Sequence, residues 1–298
     1  MHIYFLLSYK LPIGNLIIMI TFAAKIYFIM NKTTLLLLLA LFATNAFSQT
    51  DYTTEYDIPY SAKSDDYSRS RLKLDIHHPT GEANLPVVVW FHGGGLTSGE
   101  KHIPEELKEQ GYVVIAPNYR LIPKVGVTEC IDDAAEAVAW AFDNASRYGG
   151  DPERIIVSGH SAGGFLTSMV GLDRSRLAPY GKDPDSIAAL IPFSGQVITH
   201  FSDRKSKGIK ELTPYVDSNS PLFHVRKDAP PYIIITGDAD LELFGRYEEN
   251  LYMWRMMKLN GHPEVRIYKL DGFNHGDMCH PAFKILKDEA KRLTGNGF

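Results

Sequence analysis

The amino-acid sequence predicts a single α/β domain with an open, mostly parallel β-sheet and helices on both faces. Short apolar runs such as "PVVVWF" (86–91) and "RIIVSG" (154–159) have the β-branched content of strands that are buried on both faces. Longer stretches with apolar residues at helical spacing lie between such runs. The order strand, helix, strand repeats along the chain, as parallel βαβ units require.

Each element follows from its local pattern. Two alternating segments, "TTEYDIPYS" and "RLKLDIHHP", predict half-buried antiparallel strands at the start of the domain. Buried strands are predicted at "PVVVWFHGG", "YVVIAPNYR", "ERIIVSGHS", "IAALIPFSG", "PYIIITGD" and "EVRIYKLDG". Helices are predicted at "TECIDDAAEAVAWAFDNASRYG", "AGGFLTSMVGLD", "RYEENLYMWRMMKLNG" and "HPAFKILKDEAKRLTG". The longest stretch without strand character, 196–230, is expected to form a small lid.

The beginning of the chain has the pattern of a secretory signal peptide. From Met30, "MNKTTLLLLLALFATNAFSQT" combines a basic residue, a compact apolar segment and small residues, Ala46 and Ser48, before a cleavage site. We therefore expect Met30 to be the true start, although the preceding apolar run could instead be a membrane span. Cleavage predicts a periplasmic or extracellular protein without a stable membrane anchor.

These boundaries place an N-terminal extension and signal peptide at 1–48 and one catalytic domain at 49–298. The formal net charge of -4 gives no reason to expect nucleic acid or an anionic membrane surface as a partner. Export would permit a disulfide between Cys130 and Cys279, but two free thiols are an equally open alternative. The histidines are scattered without metal-ligand spacing, so neither a catalytic metal nor another cofactor is predicted.

Two glycine-containing segments predict a nucleophile and its oxyanion hole. Ser161 is the serine of a G-x-S-x-G pattern between a predicted strand and helix, where a sharp turn exposes the hydroxyl and frees the Ala162 N–H. The segment "HGGG" contains Gly93, Gly94 and Gly95, whose backbone could approach a developing oxyanion closely. No phosphate-binding motif accompanies these glycines, and His92 is expected to hold the loop.

The sequence also offers a general base and three candidate acids. His275 follows the last predicted strand, at the edge of the sheet where ligands gather, and could accept the Ser161 proton. His160 is expected to be a packing or hydrogen-bonding residue rather than a base. The acid that orients His275 could be Asp238, Asp240 or Glu242, which all follow the strand "YIIIT".

The chain resembles the α/β-hydrolase superfamily, and within it the carboxylesterases with an HGGG oxyanion loop (hormone-sensitive-lipase-like and feruloyl- or acetylxylan-esterase-like groups). The residues that carry the resemblance are "FHGGG", "APNYRL", "DDAAEAVAWAFDNASRYGGDPERIIVSGHSAGG", "SPLFHV", "PPYIIITGDADLE" and "GFNHG". The resemblance implies an α/β-hydrolase fold and a cofactor-free serine esterase that acts on small-molecule or polysaccharide-linked esters. It also implies Ser161 as nucleophile, His275 as base and Gly93 to Gly95 with Ala162 as oxyanion hole.

The same resemblance selects one of the three acids. Relatives commonly place the triad acid at the position of Asp240, so Asp240 is predicted to orient His275. Asp238 is then the turn former, and Glu242 a capping or rim residue. Two rival functions remain open, a serine peptidase of prolyl-oligopeptidase type and a non-catalytic binding protein on the same fold. Only strands are expected before "PVVVWF", so the site should be open and unsuited to long-chain lipids.

Overall fold

A computed structural model describes residues 24–25 and 50–295 of the chain. The predicted signal peptide and its cleavage site lie outside the described residues. The chain divides into two units, Met1–Thr50 and Asp51–Phe298, and the second is described by itself below. No helix in the described part of the chain is both long and apolar enough to cross a membrane.

The second unit is organised around a sheet of eight strands in the order β1-β2-β4-β3-β5-β6-β7-β8. The strands β1 and β2 are antiparallel to their neighbours, and the pairs from β4 through β8 are parallel. This confirms the predicted mostly parallel sheet. The strands are β1 (Tyr52–Pro59), β2 (Lys73–Pro79), β3 (Leu85–Phe91), β4 (Val113–Pro117), β5 (Gly150–His160), β6 (Ala189–Phe193), β7 (Tyr232–Thr236) and β8 (Val265–Lys269).

Helices cover both faces of the sheet. They are α1 (Asp66–Arg71), α2 (Val127–Asn144), α3 (Ala162–Leu172), α4 (Phe201–Ser206), α5 (Arg246–Leu259) and α6 (Cys279–Thr294). The two short ones were not predicted. Helix α1 interrupts a region read as strands, and α4 lies inside the predicted lid.

The side chains of the central strands alternate between two hydrophobic cores. In β3, Val87 and Val89 face the core that contains α2 and α3, whereas Val88 and Trp90 face the core that contains α6. All four are buried. Strands covered on both faces read as continuous apolar runs, which is why they could be recognised in the sequence.

A buried ion pair fastens the loop after β4 to helix α2. The Asp133 side chain is fully buried. Its Oδ2 accepts from Arg120 Nε at 2.8 Å and its Oδ1 from Arg120 Nη2 at 2.7 Å. The Arg120 backbone N–H also donates to Oδ2 at 3.1 Å. This bidentate contact fixes a loop segment that lies outside the helices and strands.

We predict that Asp133→Ala lowers the free energy of unfolding by about 3–5 kcal/mol, because it leaves the Arg120 guanidinium partly buried without its partner. The matched control is Asp143→Ala on the same helix. The Asp143 side chain is 60% exposed and pairs with Lys182, so its loss should cost at most about 1 kcal/mol. Urea denaturation followed by circular dichroism measures both, and equal losses would contradict the prediction.

Candidate active site

Ser161 lies in the sharp turn between β5 and α3. Its backbone has φ 57° and ψ -113°, a conformation that is strained for a residue with a Cβ. The Ser161 N–H donates to the Phe193 carbonyl at 2.8 Å, and the Ser161 carbonyl accepts from the Phe165 N–H at 3.0 Å. These bonds tie the turn to the end of β6 on one side and to the first turn of α3 on the other. The structure thus places Ser161 in the strand-to-helix turn that the sequence predicts.

His275 faces this serine from the turn after β8. Its Nε2 lies 2.8 Å from Ser161 Oγ, and its Nδ1 lies 2.8 Å from Glu242 Oε2. The carboxylate can only accept, so Nδ1 carries the proton and Nε2 accepts from the serine hydroxyl. The three side chains form a continuous chain of hydrogen bonds that can draw the proton from Ser161 Oγ.

The prediction that Asp240 orients His275 is wrong. The Asp240 side chain is exposed, and its backbone N–H donates to Asp238 Oδ1 at 3.0 Å. The chain then turns back, because the Glu242 N–H donates to the Asp238 carbonyl at 2.9 Å. This turn returns residue 242 to the end of β7, and the longer Glu242 side chain reaches the imidazole from there.

The prediction for Asp238 is confirmed, and that for Glu242 is wrong. Asp238 shapes the turn through its bond to Asp240, and its Oδ2 also accepts from the Gly272 N–H at 2.7 Å. It therefore joins the loop after β7 to the turn that carries His275. Glu242 is neither a cap nor a rim residue, because its side chain is fully buried against His275.

The environment of Glu242 keeps its carboxylate charged. Burial alone would raise its pKa, but hydrogen bonds from His275 and Ser194, the positive charge of the protonated His275 ring and the Gly237 N–H together lower that pKa to about 2. The Ser194 hydroxyl donates to Oε1 at 2.6 Å, and the Gly237 N–H donates to the same oxygen at 2.9 Å. A fixed negative charge thus faces the His275 ring and would stabilise an imidazolium.

Ser194 is a site residue that the sequence analysis missed. It directly follows β6 and has a φ of 46°. Its hydroxyl donates to Glu242, and its oxygen lies 3.1 Å from His275 Nδ1. The buried Arg246 donates from Nη1 to the Ser194 carbonyl. The position of Ser194 at the carboxyl end of a buried strand, beside Ser161 in the fold, could have identified it.

The loop after β3 runs beside the nucleophile. A Cβ added to Gly93 would lie 3.4 Å from Ser161 Cβ, and the next two glycines have left-handed φ angles of 110° and 62°. Within residues 50–295, no hydrogen bond engages the N–H groups of Gly93, Gly94, Gly95 or Ala162. As the first residue of α3, Ala162 has no intrahelical acceptor for its N–H. The four residues predicted to form the oxyanion hole therefore have backbone N–H groups that are free to bind a ligand.

His92 holds this loop, as predicted. Its ring stacks on Tyr119 with centroids 4.4 Å apart, and its Nδ1 bonds to the Gly93 carbonyl at 2.7 Å. Burial lowers the pKa of His92 to about 4, so the ring is neutral at neutral pH. The Tyr119 hydroxyl donates to the His92 carbonyl at 2.9 Å.

Helix α4 forms one wall of the site. The Phe201 ring lies against Gly95, where an added Cβ would come within 3.0 Å of Phe201 Cζ. Phe244 lies on the rim with its ring 6.1 Å from that of Phe201, and it is 45% exposed. The lid predicted at 196–230 thus contributes an aromatic side chain beside the oxyanion loop.

The remaining candidate ligands lie apart from one another. Within residues 50–295, no group of three or more His, Cys, Asp or Glu side chains could hold a metal ion. Cys130 and Cys279 are both free thiols, which settles the open question of their pairing. Burial raises the pKa of each thiol to about 12, so neither forms a thiolate at neutral pH.

Residues 74–246, more than half of the chain, match the BD-FAE family. The chain belongs to that family. The sequence is also similar to those of two relatives over a large part of its length. One is a probable carboxylic ester hydrolase, LipM, of Mycobacterium tuberculosis, with 31% identity over 64% of this chain and 49% of that protein. The other is a probable isoprenylcysteine alpha-carbonyl methylesterase of Oryza sativa subsp. japonica, with 35% identity over 70% of this chain and 55% of that protein.

The chain therefore spans about half the length of these relatives. Among solved structures, it is similar to the truncated form of a carbohydrate esterase from gut microbiota, with a TM-score of 0.70 and 19% identity. The match covers 84% of this chain and 99% of that one. Together with the sheet described above, this similarity confirms the α/β-hydrolase fold. The BD-FAE match and the ester hydrolase relatives confirm the resemblance to the esterases of that superfamily.

We predict that Glu242→Gln lowers the turnover of a p-nitrophenyl ester by at least about a thousandfold, because the amide cannot stabilise the imidazolium. Asp240→Asn is the matched control, since its exposed side chain does not contact His275, and it should retain turnover within about twofold. Initial rates of both variants against the wild-type protein decide the assignment. A larger loss of turnover in Asp240→Asn than in Glu242→Gln would show that Asp240 orients His275.

The lowered pKa of Glu242 also predicts a pH dependence of stability. A carboxylate whose pKa falls from 4.5 to about 2 on folding stabilises the native state above pH 4.5, and this contribution is lost as the pH falls toward 2. Between about pH 5 and about pH 3, the free energy of unfolding of the wild-type protein should therefore fall by about 2 kcal/mol more than that of Glu242→Gln. Urea denaturation at both pH values measures the difference, and parallel pH curves for the two proteins would refute it.

Proposed function

We propose that this protein is an exported serine carboxylesterase that cleaves short acyl or aryl esters through an acyl-enzyme on Ser161. The observation that carries the proposal is the chain of hydrogen bonds from Ser161 Oγ through His275 to Glu242, with two distances of 2.8 Å. This chain starts at a strained serine beside free backbone N–H groups. The names of the relatives, a carboxylic ester hydrolase and a methylesterase, agree with the same chemistry.

The mechanism follows from the roles of the side chains. Ser161 Oγ attacks the ester carbonyl carbon and forms a C–O bond while His275 Nε2 takes the hydroxyl proton. The Ala162 N–H and glycine N–H groups of the loop after β3 stabilise the oxyanion. Collapse of the tetrahedral intermediate breaks the bond to the alcohol, which leaves with the proton from His275.

A water molecule then reverses these roles. It attacks the acyl carbon as His275 accepts one of its protons, and the second tetrahedral intermediate expels Ser161, which regains its proton. Glu242 remains ionised throughout and stabilises the imidazolium in both half-reactions. The lowered pKa of its carboxyl group supports this role.

The surroundings of Ser161 favour small or aromatic substituents on the ester. In the described residues before β3, the chain forms β1, α1 and β2 rather than a large helical cap. Phe201 beside the oxyanion loop and Phe244 on the rim offer aromatic surface to an aryl group. Acetyl or feruloyl groups on polysaccharides are the substrates that fit these features and the export pattern.

We predict that the wild-type protein cleaves p-nitrophenyl acetate and that Ser161→Ala abolishes turnover without unfolding the protein. Ser146→Ala is the control and should keep full activity, because it removes an exposed hydroxyl that precedes β5, at the end of that strand opposite to Ser161. A panel of acetyl-xylan, methyl ferulate, p-nitrophenyl esters of increasing chain length and a prolyl anilide then defines the substrate. Activity that survives in Ser161→Ala would overturn the mechanism, and preference for the anilide would identify a peptidase.

A further inference from the structure

His160, the last residue of β5, contacts the turn that carries the catalytic base. Its Nε2 lies 2.7 Å from the His275 carbonyl oxygen, and the two imidazole rings are 4.9 Å apart. Within residues 50–295, no other donor bonds to that carbonyl. His160 also precedes Ser161 directly, so one backbone segment carries both the nucleophile and this contact.

The His160 ring is a donor at neutral pH. Burial, together with the nearby His275, lowers its pKa to about 4, although the bond to the His275 carbonyl opposes this effect. A carbonyl oxygen can only accept, so the proton of the neutral ring is on Nε2. The opposite nitrogen, Nδ1, faces Gly93, where an added Cβ would lie 3.4 Å from it.

The start of the turn that carries His275 is held from the side of β7. The Asp238 N–H donates to the Phe273 carbonyl at 2.8 Å, and Asp238 Oδ2 accepts from the Gly272 N–H at 2.7 Å. These bonds act two and three residues before His275. They fix where the turn begins, while Asn274 Oδ1 accepts from the Gly276 N–H after the base and Glu242 holds the His275 ring. The bond from His160 is the contact that reaches the backbone of His275 itself.

We propose that His160 is a positioning residue, which holds the His275 backbone at the distance from Ser161 that proton transfer requires. The inference rests on the proposed esterase function, because it assigns a role within that reaction. His160 transfers no proton to or from the substrate. It acts through a hydrogen bond from the residue that precedes the nucleophile to the backbone of the base.

Three substitutions distinguish the effect of the hydrogen-bond donor of His160 from the effect of its ring. His160→Leu removes the donor. His160→Gln keeps an N–H at the position of Nε2, from which it can donate to the His275 carbonyl. His160→Asn has its N–H at the position of Nδ1, from which it cannot reach that carbonyl. We expect kcat for p-nitrophenyl acetate to fall by about tenfold to a hundredfold in the Leu and Asn variants, with KM within about twofold, because misplacement by a fraction of an ångström impairs proton transfer. His160→Gln should recover most of the loss.

His262 provides the matched control. It is also a buried imidazole whose pKa is lowered by burial, and its Nε2 bonds to the Ala229 carbonyl at 2.9 Å. Ala229 precedes β7, at the end of the sheet opposite to the active site. His262→Leu should lower the thermal unfolding temperature as His160→Leu does but leave kcat unchanged.

The outcomes are distinct. Loss of kcat in the Leu and Asn variants, recovery in Gln and normal kcat in His262→Leu support the proposal. A kcat within about twofold of wild type in both His160→Leu and His160→Asn overturns it, as does an equal loss in Gln and Asn. If His160→Leu does not fold, the Gln and Asn variants alone decide. If the wild-type protein cleaves no ester and a fluorophosphonate does not label Ser161, the proposed function itself fails.

Discussion

The close approach of backbone segments around the Ser161 turn sets the position of the other groups in the site. A Cβ on Gly163 would collide with the Phe91 carbonyl, and one on Gly164 would lie 2.9 Å from Gly195 Cα. Helix α3 therefore packs directly against the ends of two strands. One of those ends leads into the loop with the free N–H groups, and the other holds Ser194. Bulkier residues would separate the nucleophile from both.

Strain is concentrated at the same place. Ser161 and Ser194 both have positive φ angles, which cost of the order of 1–3 kcal/mol each for residues with a side chain. Backbone hydrogen bonds offset this cost, because Ser161 N–H donates to the Phe193 carbonyl and Ser194 N–H donates to the Ile235 carbonyl at 2.7 Å. The two hydroxyls consequently project from neighbouring strand ends toward opposite nitrogens of His275. A relaxed backbone at either position would direct the hydroxyl elsewhere.

Sequence patterns predicted those parts of the structure that depend on local residue type. Strands buried on both faces are continuous apolar runs, and the glycine-flanked turn at Ser161 has few alternatives. The acid was assigned wrongly because its position depends on a loop conformation. Asp240 and Glu242 differ little in sequence position, but the turn fixed by Asp238 directs Asp240 to solvent and returns residue 242 to the strand end. Residue type identifies Asp238 as a turn former but does not give the direction in which the turn sends the residues that follow it.

The two neighbouring imidazoles show how partners divide roles between identical side chains. His275 faces a carboxylate through Nδ1 and a hydroxyl through Nε2, so it can gain a proton and be stabilised when charged. His160 faces a backbone carbonyl and a glycine loop, with no acid of its own, and burial keeps it neutral. A second cation beside His275 would oppose the imidazolium that catalysis forms. The neutral His160 ring therefore leaves Glu242 as the charged group that the imidazolium of the proposed reaction faces.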